Sequence, residues 1–203
     1  MQRVKLIVLG AAAVGKTSII NQFVWNEYTE DYSPTEMKQT FYPTVYINEH
    51  LYELMIIDLP VISYFPSNTY YEWSEFQSWG LRSASAYVLV FDLNVPETFQ
   101  YVKFIRDQIF DSRNMHNIPV FVVGNKHDLC ETRDRRDIAT LVKKHWKCGY
   151  VECSAKYNWH IVLLFKEVMR ILDNLDSTYK PSSGASRFDG LQGSLHNNKC
   201  IIL

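Results

Sequence analysis

The sequence lacks the features that stabilise a chain without a packed core. It has four cysteines, Cys130, Cys148, Cys153 and Cys200, with neither the density of a disulfide scaffold nor the CxxC pairs of a zinc site, so reduced thiols are expected. Charge of one sign is also missing. Lys and Arg total 21 against 22 Asp and Glu, a formal charge of −1, which leaves no basic surplus for neutralising many phosphates and excludes a bulk nucleic-acid binder. Long hydrophobic runs are absent. The stretch Ala84 to Leu93 is far short of the roughly 18–20 residues of a membrane helix. Val4 to Leu9 is too brief for a signal peptide and reads as a first strand in a cytoplasmic protein. Apolar material is plentiful, at 47% hydrophobic and 14% aromatic over 203 residues. One folded domain with a sizeable core is therefore expected, and a disordered chain is excluded.

Alternation of short apolar runs with amphipathic stretches sets the fold class. Val4 to Leu9 ends at Gly10, and Lys16 to Trp25 carries Ile19, Ile20, Phe23 and Val24 on one helical face. Phe41 to Ile47 and Leu51 to Ile57 flank Asn48-Glu49-His50 and read as an antiparallel hairpin. Tyr87 to Phe91 and Val120 to Val123 are the near-continuous runs of strands buried on both faces. Helices are predicted over Glu97 to Ser112, with Phe99, Val102, Ile105, Ile109 and Phe110 inward, over Asp137 to Trp146, and over Asn158 to Leu175. This order predicts an α/β doubly wound sheet of six strands, mostly parallel with one antiparallel edge, and about five helices, with ligand at the carboxyl ends of the strands. Residues 1–176 form the domain and 177–203, rich in Ser, Gly, Asn and Lys, a flexible tail.

Between the first strand and helix, Gly10-Ala11-Ala12-Ala13-Val14-Gly15-Lys16-Thr17 fits GxxxxGK[ST]. Loop N–H groups and the helix N-terminus can surround a β-phosphate, Lys16 can neutralise phosphate oxygens, and the Thr17 hydroxyl can ligate Mg2+. The base is read from Asn125-Lys126-His127-Asp128, after a buried strand. A carboxylate at Asp128 accepts from both N1–H and the 2-amino group of guanine, while adenine would leave it unpaired. Asn125 would tie this loop to the phosphate loop, and the Lys126 stem would cover one face of the base.

With these two motifs in place, the chain resembles the Ras-like small GTPases over about residues 3–176. Glu152-Cys153-Ser154-Ala155-Lys156 is similar to the family's third base loop, and Ser33-Pro34-Thr35 to its first switch. The resemblance implies that the Ala155 N–H meets guanine O6, with Ser154 and Lys156 beside it. It also implies that Thr35 coordinates Mg2+ and senses the γ-phosphate, that Asp58 holds the metal through water, and that Tyr28 lies against the guanine. The segment Trp146 to His160 and Arg187-Phe188-Asp189-Gly190-Leu191 look like the divergent Ras-like family ten branch.

The pattern breaks at the second switch. The family's DxxGQ is Asp58-Leu59-Pro60-Val61-Ile62 here. Val61 replaces the glycine and, beside Pro60, restricts the loop's motion. Ile62 stands where the water-orienting glutamine would be and carries no polar group, although the segment from Val61 to Arg82 is longer than usual and Gln77 could fold back. Ala12 and Ala13 occupy positions that are glycine in many family members, where a Cβ crowds the water and an activator's arginine. Intrinsic hydrolysis, with Lys16 and Thr35 as the catalytic residues, is therefore expected to be slow. An aromatic set, Tyr64, Phe65, Tyr70, Tyr71, Trp73, Phe76 and Trp79, is expected to pack on itself, the alternative being an effector surface. His127, His145 and His160 lack metal-ligand spacing.

Cys200-Ile201-Ile202-Leu203 is a CaaX terminus whose leucine favours geranylgeranyl over farnesyl. Processing would leave Cys200 lipidated and methylated. With Lys180, Arg187 and Lys199 as the tail's cations, one lipid gives reversible attachment to the cytoplasmic face of the plasma membrane or an internal membrane. The expectation is a monomeric, membrane-attached GTP/GDP switch with effectors, an exchange factor and an activating protein as partners. The alternative is a GTP-binding scaffold that does not cycle.

Overall fold

A computed structural model describes residues 2–66, 70, 79–129, 136–179 and 201–202. The most apolar stretches form the middle of one sheet. Strand β1 (Gln2–Gly10) lies between β4 (His50–Asp58) and β5 (Ala86–Asp92), parallel to both. Beyond β5 come β6 (Val120–Asn125) and β7 (Gly149–Glu152), also parallel. On the other side, β2 (Gln39–Phe41) and β3 (Thr44–Ile47) pair antiparallel with β4, and β8 (Ile201–Ile202) pairs antiparallel with β3.

Helices cover both faces because these strands have no polar side to give to water. Helix α1 (Lys16–Trp25) and the long α4 (Ile161–Tyr179) close one layer, where Phe23 stacks on Phe165 with ring centroids 3.8 Å apart. Helix α2 (Pro96–Ser112) and the residues after α3 (Arg136–Thr140) close the other around Phe99, Ile105, Ile109 and Val142. The Asp173 carboxylate of α4, buried against the hairpin, accepts bonds from Tyr52 Oη, from His50 Nδ1 at 2.9 Å and from Asn48 Nδ2 at 3.0 Å. Burial pushes its carboxyl up, but these three donors outweigh it and hold it below the ordinary range.

The mostly parallel doubly wound architecture agrees with the sequence, and the count of strands differs for a physical reason. The expected strand Phe41 to Ile47 is two strands, because Pro43 has no N–H to give the ladder; its carbonyl still accepts from Leu54 N at 2.9 Å, so the register runs on unbroken. Asn48 and Glu49, both at positive φ (47° and 67°), make the two-residue turn. Five runs are named from the sequence; the split at Pro43, strand β7 and the terminal β8 bring the total to eight among the described residues. Four α-helices have both ends within the described residues, and Tyr70 is helical outside those four. The helix expected over Asp137 to Trp146 runs as α3 and then a π-helical turn, Leu141–His145. The last helix begins at Ile161 rather than Asn158 and runs to Tyr179. Phe110, placed inward by spacing, is partly exposed under the Arg106 guanidinium at 4.1 Å, since Ile109 beside it takes the core position.

Candidate nucleotide site

A cleft of about 720 Å³ opens at the carboxyl ends of β1, β4 and β6. Its floor is formed by Ala12, Ala13, Gly15 and Lys16 of the loop that follows β1. A Cβ on Gly10 would stand 2.4 Å from Val90 O, so only glycine lets β1 turn this close to β5. Gly15 takes φ 90° with Asn125 Nδ2 2.3 Å from where its Cβ would be. Ala13 holds a left-handed φ of 57° without that freedom. Ala12 and Ala13 are exposed in the cleft, and Val14 is buried beneath them. The Lys16 ammonium bends back over the loop to Gly10 O at 3.1 Å and Ala11 O at 3.0 Å. Burial pushes its pKa down, and the Asp58 charge partly restores it.

Three oxygen-bearing side chains from separate segments meet beside this loop. Thr17 Oγ1 donates to Asp58 Oδ2 at 2.5 Å and lies 2.9 Å from Thr35 Oγ1. Asp58 is fully buried; its Oδ1 has no partner in full hydrogen-bond geometry, and burial raises its pKa against the opposing Thr17 bond, Lys16 charge and Leu59 backbone N–H. A buried carboxylate oxygen left without a donor is costly. Two hydroxyls and that carboxylate form the hard-oxygen set a magnesium ion takes. These residues fit the cation the sequence implies.

At the other end, Asn125 joins the loops. Its Nδ2 donates to Val14 O at 2.9 Å, and its Oδ1 accepts from Ala155 N at 3.1 Å. The Ala155 N–H, implied to meet the base, is thus already bonded, and a base oxygen there would share it. Ser154 Oγ donates to Asp128 Oδ1 at 2.5 Å, and His127 N to Cys153 O at 3.1 Å. Lys126 (φ 61°) and the half-exposed Tyr28 line the cleft. Lys156 closes the rim by an ion pair of 2.6 Å to Glu30.

The structure thus brings Ala12, Ala13, Gly15, Lys16 and Thr17 of the phosphate loop, Tyr28, Thr35, Asn125, Lys126, Asp128, Ala155 and Lys156 around one cleft, with Asp58 and Ser154 buried behind it and bonded to Thr17 and Asp128. The second switch behaves differently. Val61 lines the cleft and is 47% exposed, whereas Ile62 is 1% exposed, turned into the core below β5, with its carbonyl accepting from Tyr101 Oη at 2.8 Å. Burial raises that phenol to about 12. Phe65 is buried, Tyr64 and Trp79 pack on the same core, and Tyr70 is exposed; Tyr71, Trp73, Phe76, Gln77 and Cys200 lie outside the described residues. Among the described residues there is no cluster of metal-ligating side chains containing His127, His145 or His160.

Sequence reasoning passed over Glu30, Asp92 and Asn94. Asp92 ends the otherwise apolar β5, as Asp58 ends β4, and a carboxylate closing a buried parallel strand on the ligand edge was a readable signal.

A glycine loop cradling a helix N-terminus, tied through an asparagine to an aspartate-bearing base loop, defines a P-loop nucleotide-binding protein. The sequence matches the Ras family over residues 5–174, and the chain belongs to that family. It is 45% identical to Ras-like protein family member 10B of Homo sapiens and 40% identical to Ras-like protein family member 10A of Mus musculus, over 98% of both chains in each case. It is 28% identical to GTP-binding protein Di-Ras2 of Macaca fascicularis, over 98% of this chain and 96% of that one.

Proposed function

We propose that this Ras-family chain is a GTP/GDP switch built for long nucleotide retention and slow turnover. Family membership supports GTP binding and GTP hydrolysis in general. The observation that carries the finer reading is the burial of Ile62 beside an exposed Val61. Hydrolysis requires water to attack the γ-phosphate in line while the transferred group's charge is stabilised. Lys16 and the loop N–H groups supply that stabilisation. Magnesium held by Thr17, Thr35 and Asp58 would supply further charge neutralisation. No side chain at positions 61 or 62 can orient the water. Single-turnover hydrolysis of preloaded GTP, with Mg2+, should run below about 10⁻⁴ s⁻¹, under the unassisted rate of a switch that keeps its glutamine. A rate at or above that level would show that another residue positions the water.

The same burial favours a second reading, a scaffold that holds GTP without cycling. Identical amide hydrogen-exchange patterns for the GDP and GTP forms over residues 30–65 would select it. Effectors, an exchange factor and an activating protein are the partners of the switch reading, which takes the chain as a monomer.

The CaaX terminus supports geranylgeranylation and methylation of Cys200, and reversible residence on the cytoplasmic face of the plasma membrane or an internal membrane. Cys200→Ser should move the protein to the soluble fraction. Unchanged fractionation would remove the lipid from the account.

A further inference from the structure

We infer that Asp92 is a positioning residue for nucleotide retention, acting through Lys126; the inference rests on the guanine-nucleotide reading above. Strand β5 is buried along its whole length and apolar until its last residue, Asp92, which is 6% exposed. A carboxylate is costly to bury without partners, and this one has them on both oxygens. Oδ2 lies 2.9 Å from Lys126 Nζ. Oδ1 accepts from Asn94 N at 2.8 Å and Asn94 Nδ2 at 3.0 Å, and the same Asn94 Nδ2 donates to Lys126 O at 3.1 Å.

Lys126 is therefore held at its two ends, the ammonium by Asp92 and the carbonyl by Asn94. The hold has a purpose in the backbone. Lys126 sits at φ 61°, a left-handed conformation that is strained for a non-glycine residue. Something must keep it there. The pairing of Asp92 with Asn125 across β5 and β6 puts the carboxylate one residue from the strained position, and Thr98 Oγ1, accepting from Asp92 N at 3.0 Å, fixes the strand end against α2.

The consequence for ligand follows from the lysine's shape. Lys126 lines the cleft, and an ammonium fixed at Asp92 limits where its four methylenes can lie beside the base site. A free ammonium would seek water and take the stem with it. The Asp92 pair thus pre-orders the wall against which a base stacks and lowers the entropy lost on binding. Asp92 never touches nucleotide in this arrangement, and its effect is on release, not on the chemical step.

The Asp92→Asn variant separates this from a purely local role, because the amide keeps the Oδ1 acceptor of the Asn94 turn and loses the charge facing Lys126. Release of a fluorescent GDP analogue with Mg2+ would be measured for the wild type, Asp92→Asn, Lys126→Met and the double variant. Each single change should speed release about tenfold, and the double should be no faster than the faster single, since two residues acting through one contact are not additive. Additive effects, or an unchanged rate in Asp92→Asn, overturn the inference. Should Asp92→Asn not fold, Asn94→Ala, which leaves the ion pair and frees the Lys126 carbonyl, must still speed release severalfold; an unchanged rate there overturns it too. A wild type that binds the GDP analogue no better than the ADP analogue would instead overturn the nucleotide reading on which the inference stands.

Discussion

The two ends of the cleft are built in opposite ways. At the base end, Asn125, Asp128, Ser154 and Ala155 come from two loops and are bonded to one another and to the phosphate loop at 2.5–3.1 Å. At the γ-phosphate end, the chain from Leu59 to Phe65 is fastened from behind. Leu59, Ile62 and Phe65 are buried, the Ile62 carbonyl is taken by Tyr101, and Phe65 N donates to Gln108 Oε1 at 2.6 Å. The first end presents polar groups to a ligand on a rigid frame. The second spends its contacts on the core and turns a valine to the cleft. On the proposed reading, recognition and turnover rest on separate segments of this fold, one with its polar groups turned to the cleft and the other with Ile62 turned into the core.

The sharpest way to break this comparison is at Asp128. On the guanine reading, replacing it by alanine would remove two charge-assisted bonds to the base, each worth about 1.5–3 kcal/mol, so GDP affinity should fall about 10²–10⁴-fold in a fluorescence titration while ADP binding gains nothing. A loss under tenfold would mean that the base end does not recognise guanine through this carboxylate.

The next test works at the other end. From sequence alone, Ile62→Gln looks like a repair of the missing water-positioning group. In the structure it places an amide in the buried cluster that also holds Ile57, Phe65 and Tyr87. An unsatisfied amide and the lost packing should cost about 2–4 kcal/mol, read as a lower urea midpoint of the GDP-loaded protein, with hydrolysis still slow. Faster cleavage at unchanged stability would show that the side chain swings to the cleft, and the contrast between the two ends would fail.

What the sequence made legible follows the same division. The phosphate loop, Asp58, Asn125 and Asp128 were readable because their chemistry depends on contiguous spacing and on a place at a strand end. The strands were readable where both faces are buried. Ile62 was legible as standing at the glutamine position but not as a core residue, because its burial depends on packing with residues distant in sequence, and its carbonyl is held by Tyr101, 39 residues away. Asp92 and Glu30 were missed for the same reason, their partners Lys126 and Lys156 lying far along the chain. The break at Pro43 was local and could have been read from the missing N–H. The π turn after α3 has no sequence signal that we identify.

The smallest effect is expected at the rim, where Glu30 pairs with Lys156 across the opening. Glu30 is 74% exposed at its side chain, so water and salt screen the attraction and holding two long side chains together costs entropy. The Lys156 hydrogen bond and charge still keep the Glu30 carboxyl below its ordinary range. A depressed carboxyl pKa means that the pair's contribution is present above the usual glutamate range and is lost as pH falls through the depressed value. Glu30→Gln should therefore speed GDP release only slightly at neutral pH and low salt, the difference from wild type shrinking with added salt and vanishing in acid. If the change were as large as that of Asp128→Ala, the nucleotide would be retained by a surface latch. The buried Asn125 junction would then no longer be what separates the two ends of the cleft.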